Sequence, residues 1–198
     1  HLQFVYHSIL EMNSVLAAFS RKIHLLHGEA MDVFTVLSEK YDIQNVYSYQ
    51  ESGVKATWDR DKNISSLFKR KGIKWTEFQR DGIIRGIKNR INWDKNWFAA
   101  VNSPLILNVY SHNAAPLKSF SFDLPESLEK SLQKYPDSFQ KPGESYAMRY
   151  IKSFCEGRGA NYSRHISKPK ESRKSCGRIS PYLAWGNLSV RQAVQYVR

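Results

Sequence analysis

The first hundred residues alternate between two hydrophobic rhythms. Phe4, Val5, Ile9, Met12, Val15, Leu16 and Phe19 recur every three to four positions, which predicts an amphipathic helix over 4–19. Ile23–His27 is a short apolar run before Gly28 and fits a buried strand. Met31, Val33, Phe34, Val36 and Leu37 return to helical spacing across Ala30–Lys40. A strand is then expected at Asn45–Tyr49, a polar helix at Thr57–Lys71 closed by Gly72, and a third strand at Ile73–Phe78. Strands separated by helices imply right-handed crossovers and a parallel sheet. Three strands are few for such a sheet, because both of its faces need cover. Further strands are therefore expected upstream of His1.

Beyond this region the rhythm breaks. Pro104, Pro116, Pro125, Pro136 and Pro142 punctuate a stretch with scattered serines and no long apolar period, which reads as an inter-domain linker over 105–144 with a short helix at Glu126–Lys134. Helical spacing resumes at Ser145–Glu156, through Ala147, Tyr150, Ile151 and Phe154. Ser180-Pro181 pairs a capping serine with a first-turn proline. Ser189 followed by Gln192 fits a capping box. The pattern divides the chain into an α/β region at 1–104, the linker, and an all-helical region at 145–198 whose core calls for sequence beyond Arg198.

Composition narrows the function classes. With 198 residues, 41% of them hydrophobic, the chain can bury about 70% of its unfolded surface without staples. No apolar run approaches the roughly 20 residues of a membrane span, and the first residues lack an export pattern. Cys155 and Cys176 are too few for a disulfide framework and lack metal-site spacing, so a reducing, cytoplasmic setting is expected. The net charge of +12 is uneven: residues 145–198 hold 11 basic and 2 acidic side chains, a surplus of 9. That asymmetry suits a polyanionic partner, although a basic but inert surface gives the same count.

Two stretches could carry chemistry. In Ser175-Cys176-Gly177-Arg178-Ile179-Ser180-Pro181-Tyr182-Leu183, a small-residue loop runs into a helix start, where free amides and Arg178 could hold an anion; an ordinary corner between helices would look the same. In Asn161-Tyr162-Ser163-Arg164-His165-Ile166-Ser167-Lys168-Pro169, with Lys170, Arg173 and Lys174, a basic loop with an aromatic handle could touch phosphates or be a solvated turn. Asp59 and Asp61 beside Arg60 read as structural ion pairs. His24 and His27, three apart on a strand, would face opposite sides, so no metal site is assigned. No catalytic triad, nucleophile elbow or Walker loop is present, and no catalytic side chain is assigned.

These segments, in this order, resemble the cryptochrome/photolyase family. Tyr47-Ser48-Tyr49-Gln50-Glu51-Ser52-Gly53 with Thr57-Trp58-Asp59-Arg60-Asp61 is similar to the family's antenna-domain segment, and Trp75, Phe78–Arg80 and Gly82–Arg90 to the stretch after it. Pro142-Gly143-Glu144 with Tyr150 and Phe154 resembles the beginning of its helical flavin domain, and Arg178–Leu183 with Gly186 and Ser189 resembles its phosphate-binding signature. The resemblance implies an antenna domain with a Rossmann-like parallel sheet, then the start of an all-α FAD-binding domain. It implies a segment of a light-driven DNA photolyase that splits pyrimidine dimers by electron transfer from reduced flavin, or of a cryptochrome photoreceptor. A stand-alone basic nucleic-acid-binding module is the third possibility. Carried over by residue, Tyr162, Cys176, Gly177, Arg178, Ile179 and Ser180 would contact FAD. Cys176 and Gly177 stand where the family commonly has hydroxyl residues. Gln50 and Glu51 would lie near an antenna chromophore, folate or deazaflavin, while Arg164, Lys168, Lys170, Arg173 and Lys174 would touch damaged DNA. The resemblance also implies a monomeric parent protein, with no membrane partner, and little flavin retention by these 198 residues alone.

Overall fold

The computed structural model describes residues 1–80, 82–110, 114 and 122–198. Pro116 and the central part of the expected linker lie outside the described residues. The chain forms two compact units. One contains Leu25–Ala100 and the described part of Ser119–Leu124; the other contains His1–His24, the described part of Val101–Lys118, and Pro125–Arg198.

The first of these is built on a short parallel sheet. Strand β1 (Asn45–Tyr49) pairs with β2 (Lys74–Phe78) in parallel, from Asn45 opposite Lys74 to Tyr49 opposite Phe78. We number the helices α1 (Leu2–Leu16), α2 (Ala30–Lys40), α3 (Lys55–Lys71) and α4 (Trp93–Asn102) in chain order. Helix α3 is the crossover between the strands, and its buried Ile64, Leu67 and Phe68 lie at three-to-four spacing on one face. Phe68 meets Phe34 of α2 and Trp75 of β2 edge-on, at centroid distances of 5.2 and 5.6 Å. Trp75 gives its indole N–H to Ser48 Oγ on the neighbouring strand (3.0 Å). Helix α3 stops at Gly72 in the left-handed conformation (φ 70°). The amide of Gly72 reaches the Lys69 carbonyl, and that of Ile73 the Phe68 carbonyl, so the last turn is closed and β2 begins one residue later than expected. Trp93 and Trp97 stack on one face of α4.

The expected strand at Ile23–His27 is absent: among the described residues only β1 and β2 form a ladder. The backbone groups of Ile23 are taken by the Asn13 side-chain amide, which accepts from Ile23 N (2.7 Å) and donates to Ile23 O (3.1 Å). His24 and His27 are exposed, and His27 N–H donates to the Phe122 carbonyl (2.7 Å).

The other unit is helical. Beyond α1 it contains α5 (Glu126–Gln133), α6 (Glu144–Ser153) running into a π-type turn at Phe154–Arg158, α7 (Tyr162–His165), α8 (Pro169–Ser175), α9 (Ser180–Trp185) and α10 (Val190–Val197). Helix α1 packs on α5: Gln3 reaches the carbonyl oxygens of Ser131 and Lys134, and His7 lies 3.1 Å from those of Leu132 and Gln133. The core gathers Phe4, Ala147, Ile151, Tyr182, Leu188 and Ala193. Ser189 and Gln192 form the expected capping box on α10. The basic segment at 161–174, expected as a loop, is instead two short helices. Pro169 sits in the first turn of α8, where its missing N–H costs nothing. Ser180 is the first helical residue of α9 rather than its cap; Ile179 holds the cap position and no side chain caps the helix.

Candidate functional site

The segment between α8 and α9 makes a sharp corner. Cys176 closes α8, its amide bonded to the Ser172 carbonyl (2.8 Å), and then leaves the helix in an extended conformation. Arg178 adopts a left-handed conformation (φ 58°), unusual for a residue with a side chain. This reversal lets the corner turn back into α9. The carbonyl groups along it are engaged from behind: those of Cys176 and Gly177 by Arg158, and that of Arg178 by Gln140 Nε2 (2.8 Å). The amides of Gly177, Arg178 and Ile179 have no partner among the described residues. A turn with its carbonyls bonded and its amides free is a concavity for an anion.

The side chains around the corner agree with that polarity. The Arg178 guanidinium lies over the Tyr150 ring, 5.7 Å from its centroid. It lines a cleft of about 390 Å³ together with Phe4, Tyr135, Gln140, Arg173 and Pro181. No carboxylate lines the cleft, and the nearby Asp137 is paired with Lys141 (2.6 Å). Hydrogen bonding to Lys141 holds the Asp137 carboxyl below its usual range. Tyr182 anchors α9 from beneath: it is fully buried and its hydroxyl donates to the Lys141 carbonyl (2.6 Å). Burial pushes its phenol well above the ordinary tyrosine range. Arg173, Arg178 and an aromatic wall line the cleft, a lining suited to a phosphate-bearing aromatic ligand, and three free amides lie along the corner that carries Arg178.

The structure brings some of the expected site residues together and disperses others. Cys176, Gly177, Arg178 and Ile179 are half-buried in the corner, while Ser180 faces solvent. Tyr162 opens α7, 37% exposed, with its ring edge-on to Phe154 at 5.9 Å. The link from α7 to the corner is His165, whose Nδ1 lies 2.8 Å from the buried Ser175 Oγ. Trp185, in the last turn of α9, is 47% exposed and meets His1 edge-on. Sequence reasoning missed Arg158 and Gln140. Arg158 stands between Gly157 and Gly159, a signal of special backbone around a charged side chain; Gln140 carried none.

Of the residues expected to touch DNA, Arg173 also lines the cleft beside Arg178, and Lys174 lies in the last turn of α8 just ahead of the corner. Arg164, Lys168, Lys170, Arg173 and Lys174 are all exposed, on α7, α8 and the turn between them. In the sheet-bearing unit, Glu51 lines a cleft of about 200 Å³ with Trp58, Asp61, Trp75, Glu77 and Arg85. The Glu51 carboxylate accepts from the Gly53 amide (2.6 Å) and from Arg60 (3.4 Å). Arg60 also pairs with Asp61 (2.7 Å), as the sequence suggested. Gln50 continues the strand ladder, its amide bonded to Phe78 O (2.9 Å), and does not line the cleft.

The fold that carries the corner is similar to part of the photolyase fold. The chain superposes on a bacterial class III photolyase from Agrobacterium tumefaciens with a TM-score of 0.71 at 19% identity, covering 98% of this chain and 43% of that one. It superposes on an archaeal photolyase from Sulfolobus tokodaii, whose structure contains two FAD molecules, with a TM-score of 0.64 at 15% identity and the same coverage. The chain thus spans less than half the length of these neighbours. No protein-family model and no curated protein matches the sequence.

Proposed function

We propose that the chain is a segment of a FAD-dependent, light-driven DNA photolyase, and that the corner at Cys176–Ser180 holds the flavin pyrophosphate. The observation that carries the reading is the set of three unpartnered amides beside Arg178, set in the photolyase fold. A pyrophosphate calls for donors and positive charge without a competing carboxylate; the unpartnered amides, Arg178 and the carboxylate-free lining of the cleft support the reading. Gly177, Arg178 and Ile179 would donate main-chain N–H groups, the Arg178 guanidinium would add a charge-assisted contact, and Tyr162 would pack nearby. FAD, when bound, supplies the light-driven electron transfer that splits a pyrimidine dimer. The exposed Arg164, Lys168, Lys170, Arg173 and Lys174 would bind DNA phosphates and fix the register of the damaged strand, with the lesion turned out of the stack. The cleft at Glu51 is where an antenna chromophore would sit.

The test is made on the full-length protein. Purified material is expected to show flavin absorption in the blue and to reverse cyclobutane dimers in DNA only under illumination. Protein that purifies and reconstitutes without flavin would overturn the reading. Bound flavin without dimer reversal would leave a photoreceptor on the same fold.

A further inference from the structure

We infer that Arg158 is the positioning residue of the phosphate corner: by drawing two successive carbonyls inward, it turns the amides that follow them toward the anion. The inference rests on the reading of the corner as a flavin-phosphate site. A guanidinium has five N–H donors in a fixed planar fork. In Arg158 all five are used. Nε donates to Ser153 Oγ (3.1 Å), Nη1 to the carbonyls of Lys174 (3.1 Å) and Cys176, and Nη2 to those of Tyr150 (2.9 Å) and Gly177 (3.2 Å). Four of the five acceptors are main-chain oxygens, contributed by the last turn of α6, the end of α8 and the corner itself. No carboxylate pairs with Arg158 among the described residues.

The consequence follows from peptide geometry. In a trans planar peptide the C=O and the next residue's N–H point in opposite directions. Fixing the Cys176 carbonyl on Arg158 therefore turns the Gly177 amide away from it, and fixing the Gly177 carbonyl does the same for the Arg178 amide. The two donors are set before any ligand arrives, which removes an ordering cost from binding. Arg158 has no donor left for a phosphate; it acts through the peptide units and through the charge it places behind them. Its own position is held by the rings of Tyr150 and Phe154, 5.8 and 5.9 Å from the guanidinium carbon. Gly157, at φ 150° and ψ −32°, breaks the helical run just before Arg158, a backbone conformation that side-chain-bearing residues rarely adopt.

Lysine keeps the charge but offers three donors on a point-like head, so it cannot span the carbonyls of three segments. In the full-length protein, Arg158→Lys is expected to weaken FAD binding by about 10- to 100-fold, by analogy with the cost of losing a group that orients a metal's direct ligands. Riboflavin, which lacks both phosphates, should bind wild type and variant equally. Hydrogen exchange on the wild type gives a second measurement that needs no variant: the Gly177 and Arg178 amides should exchange fast without ligand and slow on addition of FAD but not of riboflavin. Equal losses for FAD and riboflavin, or unchanged FAD affinity, would overturn the role of Arg158 alone, as would slow exchange at both amides before ligand is added. Failure of the wild type to bind FAD would overturn both this inference and the reading beneath it.

Discussion

At Tyr182 a single hydroxyl joins the core of the helical unit to the chain leading into it. The ring packs on Phe4 and Tyr150, at 5.5 and 5.7 Å, while the hydroxyl is bonded to the Lys141 carbonyl. Tyr182→Phe should cost about 1–2 kcal/mol, read from urea denaturation, because a half-buried carbonyl loses its donor. The same burial gives a pH signature. The unfolded phenol releases its proton near pH 10, whereas the folded one keeps it to higher pH. The folded state then holds the extra proton, so this contribution is complete below about pH 10 and is lost as pH rises further. Alkaline destabilisation of the wild type that is reduced in Tyr182→Phe checks the sign. Residue-scale chemistry was legible where it was local. Arg178–Leu183 could be read as a corner because the elements of the motif are adjacent in sequence. Gln140, 38 residues before its partner Arg178, could not, since only the tertiary fold brings them together.

At the scale of elements, periodicity placed α2, α3, β1 and α6 to within a few residues, because each has an apolar stripe or a terminator of its own. The misses have separate physical causes. Ile23–His27 has the composition of a strand, but Asn13 bonds the backbone groups of Ile23. Helices α7 and α8 are too short and too polar to show a period. Two substitutions test the junctions. Ser189→Ala removes the capping box of α10 and should cost about 1 kcal/mol in a denaturation experiment. Gly143→Ala should cost more, about 2–4 kcal/mol: the residue sits at φ 107°, and an added Cβ would collide with the Glu11 carboxylate. Glu11 also accepts from the Ser145 amide (3.3 Å), so it serves the first turn of α6 from 134 residues away, where Gly143 has no side chain to offer.

At the scale of the whole chain, the excess of 9 positive charges over residues 145–198 is an electrostatic property before it is a structural one. It was therefore legible in full, whereas the surface on which those charges lie was not. Replacing Lys168, Lys170 and Lys174 by Gln in the full-length protein should weaken DNA binding at low salt and flatten its salt dependence, by about 0.9 in the log–log slope for each phosphate that is no longer neutralised. An unchanged slope would remove these three from the DNA interface. The parallel character of the sheet was legible from the strand–helix–strand order, while among the described residues two of the three expected strands form.

The pairing of α1 with α5, and of Phe4 with Tyr182, also constrains how the chain is made. The helical unit is assembled from both ends of the sequence, whereas most of the sheet-bearing unit is one continuous run, Leu25–Ala100. During synthesis the latter run emerges whole while α1 still lacks every helix it packs against. Helix α1, with its apolar stripe uncovered, must wait for more than a hundred further residues before α5 can leave the ribosome. Nascent chains halted near residue 125 should thus protect Phe68 from protease while leaving Phe4 open to cleavage.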